Sequence, residues 1–213
     1  MFPANTRQPV AMLCALAPVI PEISIDNVSS AKPLARALVM GGLPVFEVSS
    51  RAPAALEIIA EMAEVPGTRI GAGPLVHPSD AHAVKAAGAS FGVSAIPSAK
   101  LQGACELVNL ALLPTATCEE DARHLNVRGF AIQRFAPAIT ATSVNEMKKL
   151  GVSAPLIRFI PTGVASLELA HRHLSLSNTL CVSGNWIAPQ QLIIGKNWSK
   201  INELAKEAAI LPR

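Results

Sequence analysis

Apolar runs of strand length alternate with helical patterns eight times along the 213 residues, and this alternation predicts an α/β fold. Strand-helix pairs in this number leave two architectures open, a closed barrel and an open doubly wound sheet. The open sheet of a dinucleotide-binding protein would need a Gly-x-Gly-x-x-Gly motif after its first strand, and the sequence has none there. The number of pairs favours a compact (β/α)8 TIM barrel in which residues 1–213 form a single domain, shorter than the about 250 residues usual for this fold.

The individual elements follow from apolar periodicity and from the residues that start or stop helices. The predicted strands cover residues 18–25, 45–50, 69–76, 91–95, 110–116, 130–137, 157–162 and 179–183. The predicted helices cover residues 33–40, 54–65, 79–87, 98–108, 117–125, 143–150, 166–174 and 198–209. In the second helix, apolar residues occupy one face and Glu57, Glu61 and Glu64 the other, which is typical of a helix packed on a sheet.

The composition argues against several classes of partner. The formal charge of +3 comes from 18 basic and 15 acidic residues that are scattered along the chain, and aromatic residues make up 4% of it. Because there is no basic stripe with interleaved aromatic residues, nucleic acid is not expected as a partner. Proline or glycine interrupts each long apolar run before the roughly 20 residues of a membrane span, so no membrane segment is expected. Residues 10–20 are apolar, but Pro18 and Pro21 fit the start of a strand better than a signal peptide.

The cysteines and histidines indicate a compartment and argue against a metal site. The four cysteines show no Cys-x-x-Cys pairing and lie in apolar or helical surroundings, so we expect buried thiols in a reducing, cytoplasmic compartment. These residues are Cys14, Cys105, Cys118 and Cys181. His171 and His173 lie two apart on a predicted helix and therefore face different directions. We expect neither a bound metal nor a cofactor.

A permanent cation, Arg134, stands inside the apolar strand predicted at residues 130–137. Side chains alternate between the two faces of a strand, so Arg134 shares a face with Ile132 and Ala136. Two interpretations are open at this point. Either the side chain lies outward along a neighbouring helix with its charged head in water, or it points into a site and holds an anion.

Other polar residues fall at the carboxyl ends of the predicted strands, where the chemistry of a barrel is located. The second strand supplies Glu47, and Arg51 follows it. An inward glutamate is unfavourable in a barrel unless it is paired or used, and a structural ion pair with Arg134 is one interpretation of Glu47. Thr162 ends the seventh strand.

The loops after the seventh and eighth strands are candidates for an anion site. In such barrels these loops often bind phosphate through backbone N–H groups. We therefore predict a phosphate site formed by Gly163, Ser183, Gly184 and Asn185. The alternative is that Gly163 and Gly184 only make tight turns between strand and helix.

Seven short motifs occur in an order and spacing that resemble one known family. They cover residues 47–51, 70–73, 91–94, 113–114, 135–138, 159–163 and 181–186. Together they resemble 2-keto-3-deoxy-6-phosphogluconate (KDPG) aldolase, also called 4-hydroxy-2-oxoglutarate aldolase, over nearly the whole chain. The resemblance implies a compact (β/α)8 barrel, usually a homotrimer, that cleaves a 2-keto-4-hydroxy acid to pyruvate and an aldehyde through a lysine Schiff base.

The resemblance also implies roles for individual residues. Glu47 stands at the position of the family's proton shuttle, and Arg51 at that of the arginine that binds the pyruvate carboxylate. Thr162 stands where a threonine lines the pyruvate pocket, and Pro114 falls in a motif assigned to the substrate site.

The sequence departs from the family pattern at the reacting residue. Arg134 stands three residues before Pro137, where the family has its Schiff-base lysine, and no lysine occurs between Lys100 and Lys148. An imine forms from a neutral amine, which lysine can supply and the protonated guanidinium of arginine cannot. We therefore expect no imine with pyruvate.

Smaller departures affect the predicted pockets. Pro74 replaces the family's threonine, Val164 replaces the second glycine of Gly-Gly, and Ser183-Gly184-Asn185 replaces Gly-Gly-Ser. Because a β-branched residue resists positive φ, Val164 argues against the phosphate site.

The sequence thus predicts an aldolase-family lyase with its usual imine route closed. The alternatives are a catalytically silent protein that binds a keto acid or a sugar phosphate, an enzyme of altered chemistry with Glu47 as base and Arg134 as electrostatic stabiliser, and a purely structural oligomer subunit.

Overall fold

The computed structural model describes residues 7–136 and 141–212, which form one sheet of eight parallel strands surrounded by helices. The strands are β1 (Val19–Ile23), β2 (Val45–Ser49), β3 (Arg69–Gly73), β4 (Phe91–Ser94), β5 (Ala111–Ala116), β6 (Ile132–Phe135), β7 (Arg158–Pro161) and β8 (Val182–Gly184). The helices are α1 (Arg7–Leu16), α2 (Ala31–Met40), α3 (Ala55–Ala63), α4 (Pro78–Ala86), α5 (Ala99–Leu107), α6 (Glu119–Val127), α7 (Ala141–Ser153), α8 (Leu167–Leu174), α9 (Gln190–Ile194) and α10 (Trp198–Ala209). The predicted α/β barrel is confirmed.

Backbone hydrogen bonds between β7 and the segment before β8, and between the segment after β7 and β8, close the sheet into a barrel. The other strands follow one another in the order β7-β6-β5-β4-β3-β2-β1-β8, so β7 and β8 are the two ends that must meet. The amide of Phe159 donates to the carbonyl of Asn178 at 2.8 Å, and the amide of Val164 donates to that of Ser183 at 3.0 Å. These bonds bring the carboxyl ends of β1, β7 and β8 to one opening, which we call the mouth.

The barrel interior is filled by every second side chain of the strands. These side chains form a cluster separate from the layer between sheet and helices, and it contains Ile20, Val45, Phe91, Val93, Ala111, Leu113, Ile160 and Cys181. Helix α1 contributes Val10 and Cys14 to the same cluster, so it covers the end of the barrel opposite the mouth. This closure leaves the mouth as the side on which polar interior residues can meet a ligand.

All eight strands lie where the sequence predicts them, but several helical segments were not predicted. No helix was predicted in the apolar stretch 10–20, whereas residues up to Leu16 belong to α1. Neither α9 nor a short 3-10 turn at Val28–Ser30 was predicted. The predicted strand over residues 130–137 and the motif over 135–138 extend beyond the described residues at Pro137 and Ala138.

The prediction of four buried thiols is wrong for one cysteine. Cys118 is exposed, whereas the other three are buried, and no disulfide joins cysteines of the described chain. Cys118 is exposed because it is the N-cap of α6, where its sulfur accepts a hydrogen bond from the amide of Asp121 at 3.5 Å. None of the helices in the described residues has both the length and the apolar character of a membrane span.

Candidate active site

The alternation that fills the barrel also sends polar side chains into the mouth. Two residues after an apolar interior side chain, five strands or strand ends have a polar residue that faces the same way. These residues are Glu22 in β1, Glu47 in β2, Arg134 in β6, Thr162 after β7 and Ser183 in β8. These five residues, which we call the mouth cluster, are linked by hydrogen bonds and ion pairs.

Arg134 is the centre of the mouth cluster. It is 8% exposed, and its Nη1 donates to Glu47 Oε2 at 2.8 Å. Its Nη2 donates to Glu22 Oε1 at 2.5 Å and also to the hydroxyl of Thr162. The side chain therefore points inward rather than outward into water, and the ion pair with Glu47 that the sequence suggested is present. Binding of a ligand anion by Arg134 stays a prediction. The anions that Arg134 holds in this structure are two carboxylates of the protein itself.

Glu22 belongs to the mouth cluster but is not among the predicted site residues. Its Oε1 accepts from Arg134, from the hydroxyl of Ser183 at 2.8 Å and from the hydroxyl of Thr162. A signal was present, because Glu22 stands in an apolar strand two positions after Ile20 and pairs in register with Glu47 of β2. Like Glu47 in β2, an acidic side chain at an interior position of β1 is unfavourable unless it is paired or used.

Glu47 combines burial with two charged neighbours. Its side chain is 13% exposed, and burial raises the pKa of its carboxyl above the ordinary value. The charge of Arg134 lowers this pKa, whereas the Glu22 carboxylate raises it further. The second oxygen, Oε1, faces β3, where a Cβ added to Gly73 would lie 3.1 Å from it. Glu47 thus has one oxygen bound to Arg134 and a carboxyl that takes up a proton at higher pH than an exposed glutamate does.

Two adjoining cavities open over the mouth cluster. One has a volume of about 360 Å³ and the other of about 340 Å³, and Glu22, Glu47, Arg51 and Arg134 line both. Asn185 lines the first cavity, whereas Thr162 and Gly163 line the second. Arg51 is exposed and follows β2 at the rim, so it faces the same space as Arg134 from the solvent side.

The predicted substrate residues are brought together with one exception. Glu47, Arg51 and Thr162 line the cavities, and their roles in binding and catalysis stay predictions. Pro114 lines neither cavity, because it alternates with Leu113, which faces the interior. The next residue along β5, Thr115, lines the second cavity in its place.

The four residues predicted to bind phosphate differ in backbone conformation, exposure and packing. Gly163 has φ of +78°, which explains the glycine, and Val164 has no positive φ, so the concern about its β-branched side chain does not apply. Ser183 is 2% exposed and bound to Glu22, and it lines neither cavity. Gly184 is packed so closely that an added Cβ would lie 1.9 Å from the carbonyl oxygen of Val164. Asn185 faces the first cavity.

The mouth contains carboxylates, but these are engaged with Arg134 rather than arranged as a metal centre. Glu22 and Glu47 are the acidic residues that line the two cavities within the described chain. No group of three or more His, Cys, Asp and Glu side chains suited to hold a metal comes together in residues 7–136 and 141–212. The site therefore offers carboxylates and guanidinium groups as its reactive side chains.

Comparison with known proteins relates this barrel to one family. The family model described as KDPG and KHG aldolase matches residues 10–204. A 2-dehydro-3-deoxy-phosphogluconate aldolase of Pseudoalteromonas atlantica is 38% identical over 193 residues, which are 90% of this chain and 89% of the relative. The enzyme of that name from Zymomonas mobilis is 37% identical over 199 residues, 93% of this chain and 94% of the relative.

Solved structures agree with the sequence relatives. The 2-keto-3-deoxy-6-phosphogluconate aldolase of Zymomonas mobilis with 3-phosphoglycerate superimposes with a TM-score of 0.90 at 35% identity, over 98% of both chains. The KDPG aldolase of Legionella pneumophila, with pyruvate captured at low pH as a covalent carbinolamine intermediate, gives 0.88 at 33% identity, over 95% of this chain and 98% of that one. With a family model that spans most of its length and relatives this similar, the chain belongs to the KDPG and KHG aldolase family.

Proposed function

We propose that the protein is an aldolase-type lyase that cleaves a 2-keto-4-hydroxy acid, KDPG or 4-hydroxy-2-oxoglutarate, to pyruvate and an aldehyde without a lysine imine. The observation behind this proposal is the Glu47–Arg134 pair at 2.8 Å, which lies in a cavity that Arg51 also lines. A proton acceptor, a fixed cation and a second cation for a carboxylate are what an enolate route to pyruvate requires. Family membership supports the same class of reaction.

Substrate binding is assigned to the two arginines. The exposed guanidinium of Arg51 binds the carboxylate of the keto acid as a bidentate partner. The hydrogen bonds to Glu22, Glu47 and Thr162 use both hydrogens of Nη2 and one of Nη1 on Arg134. The remaining Nη1 hydrogen is the donor for the C2 ketone oxygen. Gly163 and Asn185, which line the cavities, are the proposed contacts for a distal phosphate or carboxylate.

The proton balance of cleavage needs one acid-base group, and Glu47 fills that role. Glu47 takes the proton of the C4 hydroxyl, the C3–C4 bond breaks, and the bonding electrons move to the C2 oxygen as an enolate while the aldehyde leaves. The proton then passes from Glu47 to C3, which becomes the methyl group of pyruvate. Negative charge moves from Glu47 to the enolate oxygen and back. Arg134 contacts Glu47 and is the proposed donor to the enolate oxygen, so it stabilises the negative charge at both positions.

Exchange of the pyruvate methyl protons tests this role directly. In D2O we expect the wild-type protein to exchange them, and we expect Glu47→Gln to reduce the exchange rate about 100-fold or more. Because only ionised Glu47 accepts a proton and its pKa is raised, the rate should fall with decreasing pH earlier than an ordinary glutamate would dictate. The measurement is the loss of the methyl signal by proton NMR, with Glu207→Gln on exposed α10 as control. Equal exchange in Glu47→Gln and the control would contradict the assignment.

A second candidate function, a keto-acid or sugar-phosphate binding protein without turnover, is favoured by one observation. Both terminal nitrogens of Arg134 are already bound to side chains of the protein. In that case pyruvate raises the melting temperature, because it binds the folded state, but its methyl protons do not exchange. Exchange together with cleavage of KDPG or 4-hydroxy-2-oxoglutarate establishes the lyase instead.

We further propose a homotrimer in a reducing, cytoplasmic compartment. Exposed apolar side chains occur at both ends of the barrel: Leu56, Val76 and Ile96 beside the mouth, and Leu107, Val127, Val152 and Leu156 at the other end. Such residues are often covered by a partner, and cysteines without disulfides support a reducing compartment. Sedimentation at micromolar concentration should give three times the mass of the chain. A single monomeric species across the concentration series would contradict the trimer.

A further inference from the structure

Glu22 is a second carboxylate in the mouth, and no step of the proposed reaction uses it. Its side chain is 27% exposed, so part of it faces the cavities, while Oε1 is held by Arg134, Thr162 and Ser183. These donors come from β6, from the residue after β7 and from β8. The carboxylate is therefore fixed at Nη2 of the guanidinium, beside the Nη1 that Glu47 binds.

The fixed carboxylate changes the charge that a ligand meets. Arg134 has a carboxylate oxygen at 2.5 Å on one nitrogen and another at 2.8 Å on the other. If Glu47 carries a proton, Glu22 alone balances the cation; if Glu47 is ionised, the three side chains together are negative. In neither case does the Arg134 end of the cavity offer a net positive charge. Arg51 is then the uncompensated cation among the described residues that line the cavities.

We propose that Glu22 is a specificity-determining residue, which makes the mouth accept a single carboxylate at Arg51 and a neutral carbonyl oxygen at Arg134. A ligand that brings a second anionic group of its own is rejected, because it adds a negative charge beside Glu22, whereas the enolate of the proposed cleavage only takes over the charge that Glu47 gives up. The ligand class is therefore a 2-keto acid with an uncharged carbon next to its ketone. This inference rests on the proposed function, since it names the ligand class of the same pocket.

Pyruvate and oxalate form a matched pair of probes for this charge effect. Oxalate has nearly the shape of pyruvate, with an anionic oxygen in place of the methyl group. Glu22→Gln keeps the size of the side chain and an oxygen that can accept from Ser183 and Thr162, and it removes one negative charge. We expect this variant to gain about tenfold or more in oxalate affinity over wild type, and to change much less toward pyruvate. Titration calorimetry of both ligands measures the ratio.

The controls separate specificity from a general structural effect. Glu207→Gln makes the same change in net charge on the exposed face of α10 and should alter neither affinity. An unchanged oxalate-to-pyruvate ratio in folded Glu22→Gln, or equal changes toward both ligands, would overturn the inference. Failure of the wild-type protein to bind pyruvate would count against the proposed function, whereas the oxalate comparison would still decide the role of Glu22.

A second variant tests the same idea without altering the buried network. Arg51→Gln changes an exposed side chain, so the fold should be kept. If Glu22 neutralises Arg134, loss of Arg51 leaves no cation to replace it, and we expect both ligands to lose affinity about tenfold or more. Retained binding of oxalate in Arg51→Gln would mean that Arg134 is an anion site despite Glu22.

Discussion

When the wild-type protein is incubated with pyruvate and borohydride, the intact mass is expected to stay that of the unmodified chain. Imine formation needs a lone pair on nitrogen, and the guanidinium of Arg134 stays protonated at any pH that the fold survives. No lysine is among the described residues that line the two mouth cavities. Intact mass spectrometry checks the result. A stoichiometric adduct that maps to one lysine would contradict both the route and the location of the site.

Restoring lysine at position 134 should not be sufficient at neutral pH. From the sequence, a lysine there would have Arg51 and an apolar strand as neighbours, which favour the neutral amine. The structure adds Glu22 and Glu47, each bonded to the guanidinium of Arg134, and such carboxylates favour the ammonium form. We therefore expect slow trapping in Arg134→Lys, which becomes faster as the pH is raised.

The double variant Glu22→Val with Arg134→Lys should trap pyruvate about tenfold faster than Arg134→Lys alone at the same pH, because one carboxylate is removed. Glu22→Val with Arg134 unchanged is the matched control and should give no adduct. Equal trapping rates with and without Glu22 would mean that this carboxylate does not set the protonation of residue 134.

The substitution with the largest expected effect on stability is Gly184→Ala, which we expect to lower the free energy of unfolding by about 3 kcal/mol. A Cβ at Gly184 would lie 1.9 Å from the backbone oxygen of Val164 and 2.5 Å from the ring of Trp186. The ring can shift, but the backbone oxygen belongs to the residue whose amide bonds to Ser183 where β7 meets β8. No rotation of a side chain relieves that contact, so the closure of the barrel must open.

Urea unfolding measures the effect, and the chain offers an informative control. Gly103 lies inside α5, and a Cβ added there meets nothing within 4 Å. Gly103→Ala should therefore raise the free energy of unfolding by about 0.5 to 1 kcal/mol, since alanine favours a helix over glycine. If both variants behaved alike, the closeness of β7 and β8 at Gly184 would not be the cause.

Periodicity was enough to find the strands, because each buried strand is an apolar run whose length and breaks are local properties. It failed for α1, whose apolar residues run into those of β1 and whose burial depends on the far end of the barrel. It placed Glu47, Arg51 and Thr162 correctly at the mouth, because the carboxyl ends of parallel strands meet there.

The partners of Arg134 could not be derived in the same way. Glu22 lies 112 residues away in the chain, and its contact with Arg134 exists only because β1 and β6 face each other across a closed barrel. The alternation of side chains along β1 predicts that Glu22 faces the barrel interior. No local pattern, however, shows which of the several inward side chains contact each other. Pro114 shows the opposite case, in which a residue of a recognised motif faces away while its neighbour Thr115 lines the cavity.

The mouth cluster also bears on how fast the barrel can open. Arg134 joins segments separated by 112 residues on one side and 87 on the other. Closing chain loops of this length costs entropy before such contacts can form, so we expect them to be weak in the transition state of folding. Interactions made after that barrier slow unfolding and leave the folding rate nearly unchanged. We therefore expect the charged residues of the mouth cluster to slow the unfolding of the native barrel.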